Sequence, residues 1–69
     1  MKIEIKGDYI ELQQLIKLAD IASAGGEAKQ MIQDGIVQVN GETETRRSRK
    51  IRKGDFVTVN GVPDMLEIR

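Results

Sequence analysis

The sequence predicts an α+β fold in which two helices near the N-terminus pack on a small, mostly antiparallel sheet of four or five strands. Apolar and polar residues alternate over the first six positions, as in a strand. From residue 9 to about residue 34 the apolar residues have helical spacing, and beyond residue 36 the strand-like alternation returns. Two Asn-Gly pairs in the second half are typical of tight turns between strands. With 69 residues, 39% of them hydrophobic, the chain can build one thin core, so we expect residues 1–69 to form a single domain.

A change in apolar spacing separates the first predicted strand from the first predicted helix. Ile3 and Ile5 share one face of residues 1–6, as in a half-buried strand. From residue 9 the spacing becomes helical, and the helix is expected to reach about residue 20. Asp8 is the expected N-cap, because its carboxylate can accept hydrogen bonds from first-turn amides. The apolar positions of this helix are Leu12, Leu15, Ile16 and Ala19.

The second predicted helix begins near Gly25 and stops at Asp34-Gly35. Its apolar face carries Ala28, Met31 and Ile32, which we expect in the core. Gly35 suits the left-handed conformation that often ends a helix.

Strands account for the rest of the regular structure. Val37 and Val39 face inward in a predicted strand that ends at Asn40-Gly41, a strong hairpin signal. After a turn at Gly54-Asp55, residues 56–59 form the next strand, and Asn60-Gly61 leads into a closing strand. Pro63 is expected at the start or edge of that last strand, because proline cannot donate a ladder hydrogen bond.

Positive charge is concentrated in residues 46–53, here called the basic segment, which holds six of the eleven Lys and Arg residues. The whole-chain net charge of zero hides this, because residues 1–45 carry −4 and residues 54–69 carry −2. No acidic residue interrupts the segment, so we expect its repulsion to be relieved by an external polyanion, most simply a nucleic acid. The plain alternative is a solvated loop.

Composition argues against catalysis. The chain has no His and no Cys, which removes the usual mobile-proton base, the strongest nucleophile and thiolate metal ligands. So short a chain is also expected to lack the ~300 Å³ pocket typical of a small-molecule site, so no cofactor is predicted. The N-terminus shows no signal peptide, and no stretch approaches the ~18 apolar residues of a membrane span, so a cytoplasmic location is expected. The two aromatic residues, Tyr9 and Phe56, are assigned to core or helix-entry packing, which disfavours a single-strand binder with several stacking rings.

The ordered motifs resemble the small RNA-binding domain named after bacterial ribosomal protein S-four, whose fold is the αL RNA-binding motif. The resemblance covers about residues 10–59, and the stretch from Glu44 to Arg47 is similar to short stand-alone bacterial members described as ribosome-associated. The matching positions are Leu15, Lys17-Leu18, Glu27-Ala28-Lys29, Met31-Ile32, Asp34-Gly35, Val37, Val39-Asn40-Gly41, Ser48, Ile51 and Gly54-Asp55.

This resemblance implies an L-shaped surface, formed by the second helix and the loop after the hairpin, that grips folded RNA. The implied partner is structured RNA, in particular ribosomal RNA or the ribosome. Independently of the resemblance, we expect the chain to be a monomer without enzymatic activity. Ala24-Gly25 departs from the Ser/Thr-Arg pair that relatives often carry at the start of the second helix. The implied RNA-binding residues are Lys17, Lys29, Arg46, Arg47, Arg49, Lys50, Arg52 and Lys53.

Two other functions stay open on the sequence. Two short helices joined by a glycine-containing turn superficially resemble a DNA-binding helix-turn-helix, although Lys29 is the one basic residue in positions 25–34. Alternatively, the basic segment could dock on an acidic protein partner.

Overall fold

The computed structural model describes all 69 residues and contains two helices and seven strands. In chain order the elements are β1 (Lys2–Ile3), β2 (Ile10–Glu11), α1 (Leu12–Leu18), α2 (Gly25–Gln33), β3 (Val37–Val39), β4 (Glu42–Thr43), β5 (Lys50–Ile51), β6 (Phe56–Val59) and β7 (Val62–Ile68). Five strands form one sheet in the order β1-β7-β6-β3-β4, while β2 and β5 form a separate two-stranded ladder. The predicted α+β class is confirmed.

The five-stranded sheet is antiparallel except at one edge. β3 lies between β4 and β6, and β6 pairs in turn with β7. β1 runs parallel to β7, with Lys2 opposite Glu67. β1 is shorter than expected, but the chain stays beside β7, because the Ile5 amide donates to the Arg69 carbonyl at 2.9 Å. Pro63 is the second residue of β7 and is exposed, as predicted for a strand start.

The ladder between β2 and β5 was not predicted. Ile10 pairs with Ile51, and Glu11 pairs with Lys50. Helix α1 therefore begins at Leu12, and the prediction that Asp8 caps it is wrong. The N-cap is Glu11, whose amide donates to Gln14 Oε1 at 3.2 Å. A two-residue strand such as β2 is too short to show a period of two. Its residues were therefore predicted to belong to the first helix.

The core lies between the helices and one face of the sheet. It comprises fourteen buried apolar residues, to which α1 contributes Leu12, Leu15 and Ile16. Ile51 is also fully buried, which anchors the middle of the basic segment to the core. Met31, expected in the core, packs against it while only half-buried. The remaining core residues are Ile5, Ala22, Ala28, Ile32, Val37, Val39, Val57, Val59, Leu66 and Ile68.

Four of the predicted turns have a glycine in left-handed backbone, at Gly35, Gly41, Gly54 and Gly61. Gly35, with φ of +78°, ends α2 as expected. Asn40 and Gly41 both have positive φ, at +52° and +86°, which is the geometry of a mirror-image turn between two strands. This turn brings β4 back beside β3 and sends the chain toward the basic segment.

Candidate nucleic-acid interface

The backbone of the basic segment is tied to the start of α1. The Leu12 amide donates to the Arg49 carbonyl at 2.8 Å, and the Gln13 amide donates to the Arg47 carbonyl at 3.0 Å. These amides belong to the first helical turn, where N–H groups have no acceptor within the helix. A turn in the segment is closed by the Arg49 amide, which donates to the Arg46 carbonyl at 3.2 Å. The segment is thus a fixed structure and not a free loop.

A buried acid, Glu44, lies just before the basic segment and pairs with two of its arginines. Its Oε1 accepts from Arg49 Nη1 at 2.7 Å and from Arg46 Nη2 at 3.1 Å. Its Oε2 accepts from Arg46 Nε at 3.2 Å and from the Thr45 and Arg46 amides at 3.0 and 3.1 Å. The hydrogen bond from the Arg46 side chain, helped by Arg49 and opposed by burial, lowers the pKa of Glu44 from 4.5 to about 2.

The expectation that an external polyanion relieves the repulsion within the basic segment is therefore wrong for Arg46 and Arg49, which pair with Glu44 of the same chain. The missed acid stands outside the run, two residues before its first arginine, where turn geometry alone brings it into contact. The neutralisation is incomplete, because six cations face two carboxylates over residues 44–55, leaving a net charge of +4. The cations without an ion pair are Arg47, Lys50, Arg52 and Lys53, all of them exposed.

The side chains around this segment enclose an open groove of about 530 Å³. This volume exceeds the pocket size that the chain was expected to lack, but no apolar side chain lines the groove, unlike a typical small-molecule cavity. Such a groove suits a hydrated polyanion better than an apolar ligand. Its lining residues are Arg46, Ser48, Arg49, Lys50, Arg52 and Asp55.

Asp55 links the groove to the hairpin turn. Its carboxylate accepts from the Arg52 amide at 2.8 Å and from Asn40 Nδ2 at 3.1 Å. Burial acts to raise the pKa of Asp55, but these hydrogen bonds and the nearby arginines lower it below its usual value. Asn40 Oδ1 in turn accepts from the Phe56 amide at 3.0 Å. The turn, the groove and β6 are thereby held as one unit.

Tyr9 belongs to this surface and not to the core. Its side chain is exposed, and Lys50 Nζ and Arg52 Cζ lie over its ring, 5.0 and 5.8 Å from the ring centroid. The assignment of Tyr9 to core or helix-entry packing is therefore wrong, whereas Phe56 is half-buried. Cation–π contacts with neighbouring Lys and Arg side chains can stabilise a tyrosine ring at the surface. Sequence periodicity does not reveal such contacts.

The other predicted site residues are placed around the groove or away from it. Arg47 and Lys53 are exposed members of the basic segment that do not line the groove. Lys17 is exposed in the last turn of α1, and Lys29 is exposed on α2; neither lines the groove.

No group of three or more acidic side chains is arranged to hold a metal ion. Neither helix has the length and apolar composition needed to cross a membrane.

Comparisons of sequence agree with the resemblance noted above. Residues 3–64 match a family model described as S4 domain. A Bacillus subtilis protein named "Probable ribosome maturation protein RlbA" is 42% identical over 59 residues, which cover 86% of this chain and 83% of that protein. The Escherichia coli protein YbcJ is 39% identical over 56 residues, covering 81% of this chain and 80% of its own.

Comparisons of structure give the same result. The solution structure of E. coli YbcJ, described as revealing an αL motif involved in RNA binding, matches with a TM-score of 0.71 and 33% identity. This match covers 96% of this chain and 85% of YbcJ. A trimeric structure of Vibrio cholerae heat shock protein 15 matches with a TM-score of 0.70 at 21% identity, covering 84% of this chain and 58% of that one. At that identity the second match shows a shared fold alone.

Proposed function

The chain belongs to the S4 domain family, and on this premise we propose that it is a non-catalytic module that binds structured RNA through its basic segment. The observation that carries the proposal is a set of four exposed cations without ion pairs on a backbone fixed to α1. Such an array can meet several phosphates without first paying to order a flexible loop. The partly paired arginines of the groove add further donors beside it.

RNA is favoured over duplex DNA by the distribution of charge. A recognition helix in a major groove needs several polar or basic side chains along one face, and α2 offers Lys29 as its one basic group. The charge lies instead on a segment between strands, which suits recognition of shape and phosphates in folded RNA. The relative YbcJ is described as having an αL motif involved in RNA binding, which supports the same choice.

Ribosomal RNA is the class of RNA that we propose, with Lys29 and Lys17 as flanking contacts from the two helices. The name of the B. subtilis relative, which refers to ribosome maturation, supports this choice. Crosslinking in cells followed by sequencing of the attached RNA tests it directly. Ribosomal fragments are the expected product, whereas enrichment of other RNAs, or capture of proteins that survives nuclease treatment, would contradict it.

The basic segment is tested by the salt dependence of affinity for a ribosomal RNA hairpin. The test variant changes Arg47, Arg52 and Lys53 to Ala, and its matched control changes Lys2, Lys6 and Arg69 to Ala, so each loses three positive charges. Each lost phosphate contact should flatten the slope of log K against log salt by about 0.7, so the test variant should lose about 2. Equal slopes in the two variants would contradict the proposal.

A further inference from the structure

We propose that Tyr9 is a stacking platform for one unpaired base of the bound RNA, placed beside the cations that hold its phosphates. The inference rests on the proposed function and specifies the kind of RNA that the site accepts. Tyr9, the single tyrosine of the chain, is 45% exposed. It lies outside the core cluster and beside the groove.

Strand pairing fixes the position of this ring. In the β2–β5 ladder Ile10 lies opposite Ile51, and continuing that register places Tyr9 opposite Arg52. Because Ile51 is fully buried and side chains alternate along a strand, Lys50 and Arg52 point away from the core on the same side. Both cations lie over the Tyr9 ring, with Lys50 Nζ 5.0 Å and Arg52 Cζ 5.8 Å from the ring centroid.

A nucleotide offers the two features that this cluster recognises. Its base has a π-face that stacks on an aromatic ring, and its phosphate carries the negative charge that the flanking cations need. Bases inside a regular duplex are already stacked on their neighbours and cannot reach the ring. A single ring can take a single base, so the cluster fits folded RNA with an unpaired nucleotide, such as a bulge, and not a long single strand.

A second role for Tyr9 must be distinguished from stacking. The ring could simply support the aliphatic stems of Lys50 and Arg52 and so orient their charges. In that case its removal would weaken binding of every RNA to the same extent. Stacking instead predicts a loss confined to RNAs that offer an unpaired base.

The test uses three RNA hairpins of identical length and stem sequence. The first carries one bulged adenosine, the second carries an abasic nucleotide at the bulge, and the third is fully paired. The wild-type chain should bind the adenosine bulge about tenfold more tightly than the abasic bulge, the contribution expected of one stacked base. Tyr9→Leu should abolish that preference and Tyr9→Phe should keep it. Thermal unfolding of each variant verifies that it is folded.

A direct optical readout comes from the composition of the chain. It contains one Tyr and no Trp, so tyrosine emission reports on Tyr9 alone. The adenosine bulge should quench this emission, and the abasic bulge at equal saturation should leave most of it. Absence of quenching by the adenosine bulge would overturn stacking.

The remaining outcomes separate this inference from the proposed function. If Tyr9→Leu weakens binding of all three hairpins equally, or retains the preference for the adenosine bulge, stacking is overturned while RNA binding stands. If the wild-type chain binds none of the three hairpins at low salt, the proposed function fails and the inference fails with it.

Discussion

Glu44 and Arg49 form the shorter of the two ion pairs in the molecule, with 2.7 Å between Oε1 and Nη1. Arg46 binds the same carboxylate through Nε and Nη2. A guanidinium has five N–H donors, and these contacts use one donor of Arg49 and two of Arg46. Glu44 therefore orients the two arginines at the groove and leaves most of their donors available for phosphate.

Replacing this acid should lower stability near neutral pH. Glu44→Gln removes the charge that accepts hydrogen bonds from two arginines, and we expect a loss of about 2 kcal/mol in the free energy of unfolding. Urea unfolding at pH 7 measures the change. Glu42→Gln, at an exposed acid in β4 without an ion pair, is the matched control and should unfold like the wild type.

The same carboxylate predicts a specific dependence of stability on pH. Its pKa is about 2 in the folded chain and 4.5 ordinarily, so the unfolded chain binds the proton more readily. The stabilisation is complete above pH 4.5 and is lost as pH falls toward 2. Allowing for solvent screening around exposed Arg46, the amount lost is on the order of 2 kcal/mol. The unfolding profiles of wild type and Glu44→Gln should converge at the acid end; parallel profiles would refute this role.

Replacement by alanine should have opposite effects on stability at two glycines, Gly26 within α2 and Gly35 just after its end. Gly35 has φ of +78°, and an added Cβ would meet Thr43 Cγ2 only at 3.7 Å, so the cost comes from the backbone. Gly35→Ala should lose about 1 kcal/mol. Gly26 lies within the helix with open space around it, so Gly26→Ala should gain about 0.5 kcal/mol. Thermal unfolding of both variants checks the pair, and equal changes would contradict it.

Asn40 should matter for both its backbone and its side chain. It combines a φ of +52° with hydrogen bonds to Asp55 and from the Phe56 amide. Asn40→Ala loses both features and should cost about 2 kcal/mol, whereas Asn40→Gly keeps the backbone freedom and should cost about 1 kcal/mol. Chemical denaturation compares the two. A glycine variant as unstable as the alanine variant would show that the side-chain bonds alone matter.

Lys17 and Lys29 test whether the two helices contribute to the proposed RNA surface. Lys29→Ala and Lys17→Ala should each reduce the salt slope of RNA affinity by about 0.7 if each side chain meets one phosphate. Both residues are exposed, so little change in stability is expected. Filter-binding titrations over a range of salt give the slopes. A slope unchanged in both variants would confine the interface to the basic segment and its groove.

Strong local patterns predicted most of the architecture. The buried faces of α1 and of β3 follow from apolar spacing, and the turn at Asn40-Gly41 follows from the residues that tolerate positive φ. The β2–β5 ladder escaped prediction because each strand has two residues, and its two pairs join positions 41 and 39 residues apart. Long-range pairing of that kind leaves no periodic trace in the sequence.

The site was predictable in its charge but not in its internal organisation. The density of cations in residues 46–53 is visible in the sequence. The roles of Glu44 and Tyr9 depend on a tight turn and on the unpredicted ladder, respectively. Glu44 also looked like one of several scattered acids, because burial, which distinguishes it, appears only in the folded chain.

The most direct test of the central claim is an NMR titration of the ¹⁵N-labelled chain with a ribosomal RNA hairpin. Binding through the basic segment should shift the amide resonances of residues 46–53 and of the first turn of α1, which is hydrogen-bonded to that segment. Resonances of β1 and β7 should stay in place except near Asp55, which contacts the Ile68 amide. Shifts centred on β1 and β7, with residues 46–53 unchanged, would contradict the account.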